Sequence, residues 1–294
     1  MKKRTIKLKA PIQTALCAVL IIALTVCAVL FIFLRKEITE LSDKLAKAQA
    51  YGVQADEKLS ELQQSYDALR GEYTALEKTK AEQRNAKVVY LTFDDGPSEN
   101  TVKILDILNE YDIKATFFVI GKEGGYSAEI YRRMVSDGHA VGNHTYSHEY
   151  HDIYSSPKKF WEEYQKNDDA FFEITGRHLN IMRFPGGSNN TVSNRYCKGI
   201  MKVLTKQAKE RGLIYFDWNV SSLDAEKVIQ DKNVIINAVL DGVRDRKSSI
   251  VLMHDNKTKK TTVEALPVII EELKKQGYTF RALDESVESI QFLK

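Results

Sequence analysis

The chain has 294 residues, enough for one large domain with extra elements, and a formal charge of +3 from 43 basic and 40 acidic residues. The charge is uneven: positions 1–36 hold Lys2, Lys3, Arg4, Lys7, Lys9, Arg35 and Lys36 and no acid, which leaves 36 bases against 40 acids, or −4, beyond them. A basic start on a mildly acidic body argues against nucleic acid as a partner and for a membrane-targeting end, and three cysteines supply no extracellular disulfide framework.

Positions 15–34 form a charge-free run, softened only by Thr25. As a helix it would span about 30 Å, the thickness of a bilayer core. Five bases precede it and two come after it, so the positive-inside rule keeps the N-terminus in the cytoplasm and exports the chain beyond Leu34. A cleaved signal peptide would have an apolar region of only about 7–15 residues with an Ala-x-Ala site close behind. The one downstream match, Ala48-Gln49-Ala50, lies far past the run, which favours a retained anchor. Cys17 and Cys27 fall inside the span, and Cys197 reads as a packed thiol.

From Ile38 a heptad runs through Leu41, Leu45, Ala48, Gly52, Ala55, Leu59, Leu62, Tyr66, Leu69, Tyr73 and Leu76, with Glu, Lys, Gln and Asp between. No proline interrupts it. The pattern fits a coiled coil reaching about 70 Å if continuous to Gln83. A heptad marks a sticky stripe without fixing a stoichiometry, so a parallel homo-oligomer fits it, and so does a frayed or partly disordered spacer, since Gly52, Tyr66 and Tyr73 weaken the seam. The expected division is 1–36 as basic tail and transmembrane anchor, 37–85 as stalk, and 86–294 as a separate domain.

After Arg84 short β-rich runs alternate with amphipathic stretches. Strands are predicted at 88–93, 115–120, 140–143, 181–184, 214–218, 249–253 and 278–281. Helices are predicted at 102–111, 128–137, 158–174, 200–211, 234–243 and 263–276. Alternation of this kind predicts a parallel α/β sheet, and seven strands suit a barrel. In barrels functional groups gather at the C-terminal ends of strands. Asp94 and Asp95 end the first predicted strand, His144 comes just after the third, Arg183 lies in the fourth, Asp217 and Trp218 close the fifth, and His254 closes the sixth.

Two adjacent carboxylates repel, so Asp94 and Asp95 each need a partner that tolerates charge. A cation on one and an arginine on the other would serve. His144 and His148 sit four apart, and with one carboxylate they make a three-ligand set with a position open for water, as a catalytic zinc requires. His151 extends that face and is not needed as a ligand. A strand-end His254 opposite an aspartate is a tuned proton donor.

These motifs resemble the NodB-type polysaccharide deacetylases, carbohydrate esterase family 4, and within them the peptidoglycan N-acetylglucosamine deacetylases. The matches are Thr92-Phe93-Asp94-Asp95-Gly96-Pro97, His144 to His148, Arg183-Phe184-Pro185-Gly186-Gly187, Asp217-Trp218 and Leu252-Met253-His254, over roughly 86–294. The resemblance implies a distorted, incomplete (β/α) barrel. It also implies Asp95, His144 and His148 as ligands of a divalent metal, zinc by expectation, and Asp94 as the base that deprotonates the attacking water. Arg183 would hold that base ionised. His254 would protonate the departing amine with Asp217 tuning it, the backbone N–H of Gly186 would stabilise the oxyanion, and Trp218 and Leu252 would line the pocket for the acetyl methyl. Position 186 is often Tyr in the family. Here Gly186, Gly187 and Ser188 keep the backbone donor and leave out an aromatic wall, while Tyr146, Asn189 and Asn190 are candidate glycan contacts.

The expected partner is an N-acetylated glycan, with the anchored enzyme facing the wall of a Gram-positive bacterium. Chitin oligomers, a biofilm glucosamine polymer and acetylxylan are the alternative substrates. A non-enzymatic coiled-coil scaffold is the alternative class, and the complete set of ligands, base and acid counts against it.

Overall fold

The computed structural model describes residues 10–293, which divide into two compact units between Ala81 and Glu82. The first is carried by one helix, α1 (Ala10–Asn85), whose side chains are exposed throughout 14–78. The predicted apolar run and the heptad both lie within it, and the helix passes through Gly52 without a break. It includes a stretch long and apolar enough to cross a membrane, with a mean hydropathy of 3.1. Lys2, Lys3, Arg4, Lys7 and Lys9 lie outside the described residues.

In the second unit, strands and helices alternate as β1 (Lys87–Asp94), α2 (Glu99–Glu110), β2 (Thr116–Val119), α3 (Gly125–Ser136), β3 (Ala140–Asn143), α4 (Tyr150–Ile153), α5 (Pro157–Thr175) and β4 (Ile181–Met182). They continue as α6 (Ile200–Glu210), β5 (Ile214–Tyr215), β6 (Val220–Ser221), α7 (Lys232–Val243), β7 (Ser248–His254), α8 (Lys260–Lys275) and β8 (Tyr278–Phe280). Local chemistry sets the boundaries. Ser98 caps α2 by accepting from Asn100 N, and α5 has Ser156 before it, Pro157 in its first turn and left-handed Gly176 after it.

Every strand pairing is parallel, in the order β5-β4-β3-β2-β1-β7-β6, with β8 on the first half of β1. The strand predicted at 214–218 is corrected: it stops at Tyr215, bends, and resumes as β6. Its first half pairs with β4 and its second with β7, so one bent stretch joins the two ends of the order and curls the sheet round. These closing pairs are only two residues long, so the barrel is distorted and incomplete.

Side chains alternate across β1. Val89, Leu91 and Phe93 point outward into a core shared with Ile104, Leu105 and Leu108 of α2 and with Leu266, Ile269, Ile270 and Leu273 of α8. Val88 and Tyr90 point inward with Phe118, Ile181, Phe216, Ile250 and Leu283. The lower interior is thus packed apolar, while the same inward face of β1 continues as Thr92 and Asp94. The floor excludes water, and the polar groups are confined to the strands' C-terminal ends.

Candidate active site

Asp94 and His254 are register partners across β1 and β7. Asp94 is buried, and its Oδ1 accepts a 2.8 Å hydrogen bond from Arg183 Nη1. Arg183 is fully buried one residue past β4, and its other bonds leave it little freedom: Nη1 to Thr92 Oγ1 at 2.7 Å, Nε to the Phe216 carbonyl at 2.8 Å and Nη2 to the Asp217 carbonyl at 3.2 Å. Its guanidinium lies 4.2 Å from the Phe118 ring centroid. Burial opposes its charge and the Asp94 carboxylate supports it. Each of these buried charges depends on the other for its solvation.

Asp95 turns away from Asp94 because its backbone is left-handed (φ 77°), as are those of Thr145 (φ 67°) and His148 (φ 57°). Strain of this kind, about 1–3 kcal/mol per residue, collects where a site over-determines the backbone. Gly96 comes next, and a Cβ there would lie 2.2 Å from Asp255 Oδ2, so the turn demands glycine. The next peptide, Gly96–Pro97, is cis.

Asp95 Oδ2 accepts from Asn256 Nδ2 at 3.1 Å, but its Oδ1 is buried without a hydrogen-bond partner among the described residues. That atom lies 3.4 Å from His148 Nε2 and 3.6 Å from His144 Nε2, and one donor atom from each residue falls within 4.8 Å of the others. Donors about 2.0–2.1 Å from a tetrahedral zinc sit about 3.4 Å apart, so the spacing suits such an ion. His144 Nδ1 is 2.8 Å from the Arg183 carbonyl, which can only accept, so Nδ1 carries the proton of that bond and Nε2 is the ring nitrogen turned toward Asp95. Burial, with the neighbouring His144, lowers the His148 pKa to about 4 and leaves that ring neutral. Burial opposes ionisation of Asp95, but His144, His148 and His254 outweigh it and lower its pKa. An unpartnered carboxylate oxygen facing the ring nitrogens of two imidazoles is a cation site in its donor chemistry.

The partner expected for His254 is corrected. Its Nδ1 is 2.8 Å from Oδ1 of Asp224, and its backbone N–H donates to Asp224 Oδ2, also at 2.8 Å. Thr262 Oγ1 donates to the same carboxylate at 2.9 Å. Burial alone would lower the His254 pKa. The hydrogen bond and charge of Asp224, with Asp94 and Asp95, raise it to about 9 instead. Asp217 is fully buried elsewhere: its carboxylate accepts from Ser188 N (2.8 Å), Ser188 Oγ (2.5 Å) and Phe292 N (2.7 Å). It ties the turn after Arg183 to the C-terminal segment and makes no hydrogen bond to His254. The physical reason is the bend. Because the chain continues past Trp218 into β6, the carboxylate beyond the strand end is Asp224. Two-residue strands carry too little periodicity to reveal this.

Gly186 is left-handed (φ 76°), and the space for its side chain is taken by the Tyr150 hydroxyl. Trp218 packs behind this turn, where a Cβ on Gly187 would lie 3.0 Å from its ring, and it meets Phe292 edge-on. Leu252 is buried two residues before His254 and so shares its strand face. His151 lies largely exposed beside Glu149 and Asp152. Cys197 is a free thiol packed at the edge of a second core. A cavity of about 870 Å³ lies instead at the N-terminal ends of β3 and β4. There His139 Nδ1 accepts from Ala115 N, and His178 Nδ1 lies 2.8 Å from Asp168 Oδ2, away from the strands' C-terminal ends.

A family model described as polysaccharide deacetylase matches residues 81–200. YheN of Bacillus subtilis (strain 168) is 33% identical over 204 residues, 68% of either chain. A peptidoglycan-N-acetylglucosamine deacetylase of Bacillus cereus is 31% identical over 213 residues, 69% of this chain and 71% of that one. Among solved structures, the catalytic domain of peptidoglycan N-acetylglucosamine deacetylase from Eubacterium rectale ATCC 33656 superposes with a TM-score of 0.67 at 40% identity, covering 70% of this chain and 92% of that one.

Proposed function

The chain belongs to the polysaccharide deacetylases of carbohydrate esterase family 4, and we propose that it hydrolyses N-acetyl groups of a cell-wall glycan, namely peptidoglycan N-acetylglucosamine, releasing acetate. The observation that carries this reading is the meeting of three devices at adjoining strand ends. They are the Asp94–Arg183 pair, the three converging donors of Asp95, His144 and His148, and the His254–Asp224 pair.

An amide carbonyl is a poor electrophile and an amine a poor leaving group, so both need help. A divalent cation, zinc in this reading, held by Asp95, His144 and His148 would bring the pKa of water to about 7 and polarise the acyl carbonyl. Asp94, held by the hydrogen bond from Arg183 Nη1 to its Oδ1, takes a proton from the water as its oxygen adds to the acyl carbon. The Gly186 N–H donates to the oxyanion. His254 carries its proton at neutral pH and delivers it to the nitrogen as the C–N bond breaks. The base thus faces the Arg183 guanidinium and the acid the Asp224 carboxylate, two environments of opposite charge.

The deciding experiment uses the purified full chain, stripped with chelator and then titrated with zinc, on peptidoglycan and other N-acetylated glycans. Acetate release should vanish with the metal and return with zinc, and it should be fastest on peptidoglycan. Stoichiometric zinc with no acetate from any of these glycans would sink the reading.

The apolar part of α1 is proposed as a retained anchor with a cytoplasmic N-terminus. The heptad region would be a stalk that can pair with a second copy and hold the enzyme on the outer face, toward the wall. The full chain should stay with the membrane fraction through an alkaline wash. Release of an N-terminally shortened protein into the medium would instead indicate cleavage.

A further inference from the structure

Tyr150 opens α4, two residues after His148, and its ring meets that imidazole edge-on at 5.7 Å between centroids. The ring also packs edge-on against Tyr154 at 5.3 Å. The hydroxyl therefore projects from a ring held by two aromatic neighbours. A Cβ built on Gly186 would lie 2.3 Å from this oxygen but 3.4 Å from Cζ, so only the hydroxyl conflicts with a side chain there. The residue is half-buried, and its hydroxyl has no hydrogen-bond partner among the described residues. A phenol keeps its proton at neutral pH and can donate. An oriented donor without a partner, between a metal-donor imidazole and the Gly186 backbone, is placed for something that enters the site.

We propose that Tyr150 is a substrate-contacting residue whose hydroxyl donates to the acetamido oxygen beside the Gly186 N–H, and that position 186 is glycine to admit this hydroxyl. The inference rests on the deacetylase reading above. A donor held in place before reaction costs no reorganisation when charge develops on the oxygen, so its loss should fall on kcat.

The test is a double-mutant cycle of Tyr150→Phe and Gly186→Ala in the full chain, on an N-acetylglucosamine oligosaccharide. Each variant is also titrated with zinc and with acetate. Tyr150→Phe should lower kcat by about 100-fold with KM nearly unchanged. Zinc affinity should hold, and acetate should bind about tenfold more weakly, as expected for one lost hydrogen bond. Gly186→Ala should cost heavily alone and little more when Tyr150→Phe is already in place, because the clash is with the oxygen. Its left-handed backbone is strained equally in both backgrounds, so melting temperature serves as the control. An unchanged kcat in Tyr150→Phe, a loss confined to KM, or strictly additive losses would overturn the inference while leaving the deacetylase reading intact. A wild-type chain that binds zinc and releases no acetate would remove both.

Discussion

Asp94→Asn should lower kcat by about a thousandfold while the protein still binds its divalent cation at full stoichiometry. Asn nearly preserves the shape and keeps an oxygen for Arg183 Nη1, now 2.8 Å from Asp94 Oδ1, but it cannot take a proton. General-base catalysis is worth about 10²–10⁴-fold, which sets the scale. The variant also leaves the fully buried Arg183 without its counter-charge. Removing one partner of a buried pair costs about 3–5 kcal/mol, and the retained hydrogen bond should hold the loss toward the lower end. Melting temperature must therefore accompany the kinetics, with rates measured well below the transition. Asp95→Ala is the contrast. It removes the oxygen facing both imidazoles, so metal affinity should fall by more than the roughly 10–100-fold that loss of an outer-shell partner costs. A near-normal rate in Asp94→Asn would show that another group is the base, and unchanged metal binding in Asp95→Ala would displace the cation site.

The sequence reveals those groups that sit next to long, regular elements. Strand β1 is eight residues and β7 seven, apolar and flanked by turns, so their ends at Asp94 and His254 stand out. The four-residue spacing of His144 and His148 is likewise local. Arg183 is local in position, but its partners Thr92 and Phe216 come from distant strands, and only the closed sheet brings them together. Where elements shrink to two residues, as in β4, β5 and β6, periodicity carries no information, and the bend from Tyr215 to Val220 is invisible. That one bend moved the expected partner of His254 from Asp217 to Asp224. Tyr150 was hidden for another reason: its significance lies in a contact with Gly186, thirty-six positions away, that no pattern encodes.

Asp224→Asn and Asp217→Asn separate the tuning of His254, which the family resemblance implies for Asp217, from the anchoring of the turn after Arg183. With Asp224 intact, the His254 pKa stands near 9. In the proposed mechanism His254 works in its protonated form, so activity should fall as pH rises through that value. A cation on Asp95 offsets the pull of the nearby carboxylates, so the limb in the loaded enzyme should lie between about 6.5, the unperturbed value for histidine, and 9. Asp224→Asn removes the charge that outweighs burial. The alkaline limb of kcat/KM should move down by at least about one pH unit, and kcat at pH 8 should fall by roughly 10²-fold or more. The same linkage bears on stability. A folded pKa above the unfolded one gives stabilisation that is complete below about pH 6.5 and lost as pH rises through the folded value, so this variant should lose most of its stability deficit at high pH. Asp217→Asn should behave differently. Its carboxylate accepts three hydrogen bonds from Ser188 and Phe292, and an amide must turn a donor toward at least one of them. The melting temperature should fall, with a stability loss of about 1–3 kcal/mol, and the alkaline limb should stay where it is. If Asp217→Asn moves the limb and Asp224→Asn does not, the proton donor is tuned through the strand-end aspartate after all. The hydrogen bonds of His254 would then have to rearrange when substrate binds.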